Sequence, residues 1–146
     1  MNTRGPLFVH PKGLVKRTTF HTLALYANEL ESRVAKTDVD AGQLVQGKEF
    51  IPVVDAIATV DKAGKTWALA LVNRHPSKEV ACEVRMKDAP VDGTYAATIL
   101  AGDYPEAYNE IEHPARVVPE KTQVTFKKGV VTLAPHSLTI VKLPAN

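Results

Sequence analysis

Four carboxylates lie close together in one polar stretch of the chain: Asp103, Glu106, Glu110 and Glu112. The chemistry such a group can perform is glycoside hydrolysis, which uses two carboxyl groups roughly 5 to 10 Å apart, one of them kept protonated by its surroundings. Here the carboxylates sit in a solvated loop that also holds Pro105 and Pro114, where they more often cap turns or face water. No catalytic residue is assigned to them. The histidines His10, His21, His75, His113 and His136 form neither an HxH nor an HExxH pattern, and Glu112-His113 taken with His75 makes a poor ligand set. Neither a metal nor a metal ligand is expected. Ser77 and Ser137 lack a glycine-flanked elbow, and no glycine-rich loop precedes a helix, so serine nucleophiles, phosphate sites and cofactors are not expected either.

Cys82 occupies the alternating run Val80, Cys82, Val84, Met86, which makes it a packed structural thiol, and a single cysteine forms no disulfide within the chain. Aromatic rings exposed on a sheet can stack on sugars, and Trp67, Tyr95, Tyr104 and Tyr108 are the candidates. Trp67 alternates with Leu69 and Leu71 and reads as core, while Tyr104 and Tyr108 stay open.

These residues need elements to hold them. Val53 to Val60 is rich in β-branched residues, Asp61 to Lys65 supplies turn chemistry around Gly64, and Thr66 to Asn73 returns with apolar side chains on both faces. That return strand should be central and covered on both sides. Further strands are expected at Glu79–Met86, Thr94–Leu100, Thr122–Phe126, Val130–Leu133 and Ser137–Leu143, with turn signals about every ten residues. In the first of these, Glu83 and Arg85 alternate with Cys82 and Val84, so it has one wet face. Ala101 to Pro114 interrupts the strands as one long excursion.

Before the strands, Leu7 to Gly13 reads as a loop, and Val15 to about Glu31 as an amphipathic helix that Thr18 or Thr19 could cap at a later start. Its apolar stripe is Phe20, Leu23, Ala24, Ala27 and Leu30. Between Ser32 and Pro52, Gly42, Gly47 and Pro52 break any long element, leaving at most a short edge strand over Val39–Val45. The expected architecture is all-β: an antiparallel, jelly-roll-like β-sandwich over residues 36–146, preceded by a loop and one helix over residues 1–35.

The formal charge is +2, from 18 basic and 16 acidic side chains that are interspersed, so nucleic acid is not an expected partner. No apolar run approaches the ~20 residues of a membrane span, so no membrane partner is expected. Met1-Asn2-Thr3-Arg4-Gly5-Pro6 lacks the apolar core of a secretion signal, and a cytoplasmic location is expected.

The segment Asn2 to His21, with Thr18-Thr19-Phe20-His21 opening the helix, resembles the end of the catalytic barrel in bacterial α-L-arabinofuranosidases of glycoside hydrolase family 51. Val54-Asp55-Ala56-Ile57-Ala58-Thr59, Leu71-Val72-Asn73-Arg74-His75-Pro76, Tyr108 to Pro114, and Pro135-His136-Ser137-Leu138-Thr139 are similar to that family's C-terminal β-sandwich, in the same order. The resemblance implies a parent enzyme that releases terminal arabinofuranose from arabinan, arabinoxylan or their oligosaccharides with retention. Its acid/base and nucleophile would both be barrel glutamates, and no glutamate of this chain matches either one. The partner expected from the resemblance is that barrel, in the same polypeptide, and a short N-terminal segment of the full chain would also join the sandwich. An independent carbohydrate-binding module is the competing reading, and it leaves the helix without a purpose. The helix stripe is expected to be an interface, pairing two copies as a homo-oligomer where the barrel does not cover it.

Overall fold

The structure is a computed structural model that describes residues 5–144, so the reading of Met1–Arg4 lies outside the described residues. A hairpin of β1 (Leu7–His10) and β2 (Gly13–Lys16) leads into α1 (Thr18–Glu29), then β3 (Arg33–Ala35) and the hairpin of β4 (Gln43–Gln46) and β5 (Glu49–Pro52). β6 (Val54–Val60), β7 (Thr66–Asn73), β8 (Val80–Glu83), β9 (Arg85–Met86) and β10 (Ala89–Pro90) follow, and β11 (Gly93–Ala101), β12 (Glu120–Phe126), β13 (Val130–Leu133) and β14 (Ser137–Pro144) complete the chain. The main sheet is antiparallel and runs β12-β11-β14-β7-β6-β3. Against one face lie the pairs β8–β13 and β9–β10, giving the second layer of the sandwich.

The doubly apolar β7 lies inside the sheet between β14 and β6, as its sequence requires. Leu69 and Leu71, with half-buried Trp67, enter the core between the layers beside Val84, Phe126 and Leu133. Ala70 and Val72 face the other way and meet Leu25 of the helix, Leu100 and Ile140. The sheet is thus covered on one face by strands and on the other by α1 and the excursion. The β6–β7 turn is closed by the Asp61 carboxylate, which accepts the Lys65 N–H at 2.8 Å and is held below the usual carboxylate range, chiefly by that bond.

Four local expectations change. Leu7–Gly13 is not a loop: Leu7 to His10 pairs residue by residue with Lys16 to Gly13, and Pro11 with Gly13 marks the turn between two short strands. Val15, only 1% exposed, belongs to that hairpin, so the helix begins at Thr18. Its N-cap is Arg17, without a side-chain cap, and Arg17 N–H instead bonds the Pro6 carbonyl. The expected strand Glu79–Met86 is also divided. Val84 leaves the β8 ladder to give its N–H to Gly129 and accept the Val91 N–H. Gly129 is at φ +90, and a Cβ there would lie 3.2 Å from the Val84 carbonyl, so the approach that breaks the strand needs glycine. In the low-hydropathy segment after the helix, β3, β4 and β5 replace the one short strand expected over Val39–Val45. They are too short and too exposed for period-two alternation to reveal them.

The helix lies on its own sandwich. Leu25, 5% exposed, seats between Leu100, Leu138 and Ile140 with Tyr26 and Leu30 beside it. At its C-terminal end Lys142 Nζ bonds the Glu29 carbonyl and, at 2.7 Å, the Glu31 carboxylate, placing a cation where the helix dipole favours one. Thr98 Oγ1 donates to Glu29 Oε1 at 3.1 Å.

Candidate functional site

The polar excursion runs from Gly102 to Pro119 without regular structure among the described residues. Three side chains hold it down. Ala107 is packed so closely under Gly102 that a Cβ on that glycine would come within 2.8 Å of the Ala107 Cβ. Asn109 and Val117 are buried, and the Asn109 amide donates to the Lys16 and Val117 carbonyls at 2.8 Å each while accepting the Val117 N–H at 2.7 Å. The excursion is therefore tied both to itself and to the end of β2.

On its outer side one of the carboxylates, Asp103, is paired with a cation. Arg116 forks onto Asp103 at 2.7 and 3.2 Å, and its guanidinium lies 4.7 Å from the Tyr104 ring centre. The Arg116 hydrogen bond holds the Asp103 carboxyl below the usual range, so it is a committed anion and a poor proton donor. Glu110 meets His113 at 3.4 Å on the surface, and Glu106 and Glu112 face solvent. The apolar enclosure that a glycosidase acid requires is not built around any of them.

The histidines are spread. His75 Nδ1 accepts the Ser77 and Lys78 N–H groups and closes a turn, His10 Nδ1 accepts the Lys12 N–H, and His136 lies between the Pro76 and Gly102 carbonyls at 2.9 and 3.0 Å. His21 has its Nε2 buried without a hydrogen-bond partner among the described residues, and burial, aided by the Lys16 ammonium, pushes its imidazole below the usual value. Among the described residues no three His, Cys, Asp or Glu side chains gather as a metal site would need. Cys82 is half-buried against the core, and burial pushes its thiol up.

Two concave regions accompany these groups. A cleft of about 1390 Å³ opens between the β3–β6 side of the main sheet and β8 to β10, floored by Ala56, Ala58 and Trp67 and roofed by Cys82 and Met86. Among the described residues β8 pairs only with β13, so its other edge faces this cleft. A smaller cavity of about 250 Å³ lies between Thr18, Thr22 and Tyr26 of the helix and Gly102, Tyr104 and His136. Burial and the nearby Asp55 carboxylate raise the Tyr26 phenol, against the opposing Arg74 that pairs with Asp55 at 2.5 Å.

The five residues of the helix stripe are divided by the structure. Leu30 turns inward beside Leu25, while Leu23 is 62% exposed, Ala27 is exposed, and Phe20 and Ala24 are half-covered. Sequence periodicity missed Leu25, the residue that seats the helix. It also missed the Asn109 pin, for which the only signal was a polar residue between Ala107 and Ile111 in an otherwise solvated run.

The family model for the α-L-arabinofuranosidase C-terminal domain matches residues 1–137. The chain belongs to this family. Among curated protein sequences none matches. Similar folds occur in solved α-L-arabinofuranosidases. That of Thermotoga maritima, in an arabinose complex, aligns over 97% of this chain and 32% of its own at 20% identity, with a TM-score of 0.83. The GH51 enzyme of Thermotoga petrophila aligns over 95% and 31% at 20% identity and 0.79, and the family 51 enzyme AbfB of Bifidobacterium longum over 97% and 28% at 22% identity and 0.79. The chain spans about a third of the length of these structures. As a member of the arabinofuranosidase C-terminal domain family it has the fold read from its strands: antiparallel sheets, with one helix among the described residues.

Proposed function

We propose that this chain is the accessory sandwich of a retaining α-L-arabinofuranosidase, with residues 1–35 ending the catalytic barrel and residues 36–146 forming the sandwich. The family match over residues 1–137 carries the reading. The helix supports it: one face is seated on the sandwich through Leu25, while Phe20, Leu23, Ala24 and Ala27 lie on the outward side, as a helix shared with a second body requires. The two glutamates of the reaction belong to the barrel, and the chain contributes stability and shape rather than acid–base groups. Its substrates would be terminal arabinofuranosyl residues of arabinan or arabinoxylan oligosaccharides. A further strand of the same polypeptide fits the open cleft, where among the described residues β8 is paired along one edge only and Ala56, Ala58 and Trp67 line the open side. A cytoplasmic setting belongs to the reading. Homo-oligomers would form through the outward helix face where the barrel leaves it open.

The test is hydrolysis of a chromogenic α-L-arabinofuranoside. The chain alone should be inactive at high concentration, and the polypeptide that joins it to a barrel should be active. Turnover by the purified chain that scales with its concentration overturns the accessory role, and an inactive barrel-containing polypeptide overturns the enzyme reading.

A further inference from the structure

An ordered excursion as long as Gly102 to Pro119, without regular structure, is uncommon in a compact domain and is ordinarily functional when it is not disordered. This one is ordered from beneath by Ala107, Asn109 and Val117. Tyr108 stands between two of those buried residues with 57% of its own surface exposed, so its ring is presented to solvent on an anchored backbone. Nearby in sequence, Glu110 and His113 form an exposed carboxylate–imidazole pair at 3.4 Å. An aromatic face with planar polar groups beside it suits a sugar: the ring covers the apolar C–H face, and the polar groups reach neighbouring hydroxyls.

The position of this group in the fold indicates which sugar. Asn109 binds the carbonyl of Lys16, the residue at which β2 gives way to the helix. If α1 is the last helix of a barrel, the β1–β2 hairpin before it is a strand-to-helix connection, and such connections build the face on which barrels carry their chemistry. On that reading the anchored segment that carries Tyr108 lies on the same face of the barrel as its active site. We infer that Tyr108, with Glu110 and His113, forms a rim site for the chain of an arabinofuranosyl oligosaccharide whose terminal residue enters the barrel; this rests on the reading proposed above.

The site is tested by titrating the ¹⁵N-labelled chain with a linear arabinofuranosyl oligosaccharide and following amide and Tyr108 ring resonances. Saturable shifts are expected within residues 104–113. Tyr108→Ala should raise the apparent Kd about tenfold or more, and Tyr108→Phe should preserve binding, because the ring face and not the hydroxyl makes the contact. The rest of the Tyr108→Ala spectrum should overlay on the parent, which separates a lost site from a lost fold. Glu110→Gln is the second variant and should weaken binding several-fold. No shifts in the parent chain, or shifts unaltered by Tyr108→Ala, overturn the inference. Hydrolysis by the barrel-containing polypeptide without shifts at Tyr108 removes the rim and leaves the enzyme; shifts without hydrolysis uphold the sugar site and remove the enzyme.

Discussion

Truncating Leu25 should separate a helix that belongs to this sandwich from one that merely precedes it. Its side chain is 5% exposed and sits against Leu100, Leu138 and Ile140, residues held by β11 and β14 in the middle of the main sheet. Such a site has little freedom to collapse, so Leu25→Ala should cost about 3 kcal/mol, within the ~2 to 5 kcal/mol seen for buried leucines. For a chain of this size that lowers Tm by roughly 6 to 12 °C. Leu23, two residues away and 62% exposed, is the internal control, and Leu23→Ala should change stability by no more than about 0.5 kcal/mol. Both variants are measured by urea unfolding, with hydrogen exchange reporting protection of residues 18–29. If Leu25→Ala costs as little as Leu23→Ala, or if the helix exchanges freely in the parent chain, the helix does not dock as described.

Further outcomes follow from other contacts. Trp67 is packed beside Leu69 and Leu71, so Trp67→Ala should cost about 3 kcal/mol, the low end for a large aromatic because the ring is half-buried, and arabino-oligosaccharides should leave native fluorescence unchanged; a stable variant or a saturable spectral shift refutes core placement. His21 is held below its usual value by burial and then by Lys16, so its neutral form is the one the fold favours, and the unfolded chain takes up the proton first. Its contribution is complete above about pH 6.5 and is lost as pH falls below that. Urea midpoints between pH 7.5 and 5.5 should therefore fall less in His21→Gln than in the parent chain, and equal slopes refute the assignment. The pair Phe20→Asp with Leu23→Asp should leave the sandwich folded and abolish any dimer seen by sedimentation; a dimer that survives both substitutions uses another surface.

The main sheet was legible because its signals are local and redundant. β7 carries apolar residues on both faces, Gly64 marks the turn before it, and β13 and β14 are bounded by turn residues at Lys127–Gly129 and Pro135. The pieces that were not legible depend on partners distant in sequence. β3 is held by pairing with β6, and Val84 is pulled out of its strand by Gly129. Asn109 has meaning only through Val117 and the Lys16 carbonyl, the second a contact between positions far apart in the chain. The cleft beside β8 was equally silent, since an unpaired edge is a property of the assembled sheets.

The helix shows why its stripe was read correctly as apolar and incompletely as a contact. An isolated surface helix needs one apolar face, and periodicity then names the residues that bury. Here the strongest stripe, Phe20, Leu23, Ala24 and Ala27, lies on the outward side, with the Lys16 ammonium over the Phe20 ring at 5.1 Å. The inward face is held by fewer apolar side chains, Leu25 and Leu30 with Tyr26, and is reinforced by Lys142 and Thr98 at the C-terminal end. A helix that is apolar on two faces leaves the second open once the sandwich covers the first. The polar anchors at Glu29 and Glu31 fix the angle of the helix on the sandwich, so the direction in which Phe20 and Leu23 face is set by the sandwich alone. Were a second body to dock on that face, as the proposed function requires, this ordering would lower its conformational cost, because the side chains it meets are already in place.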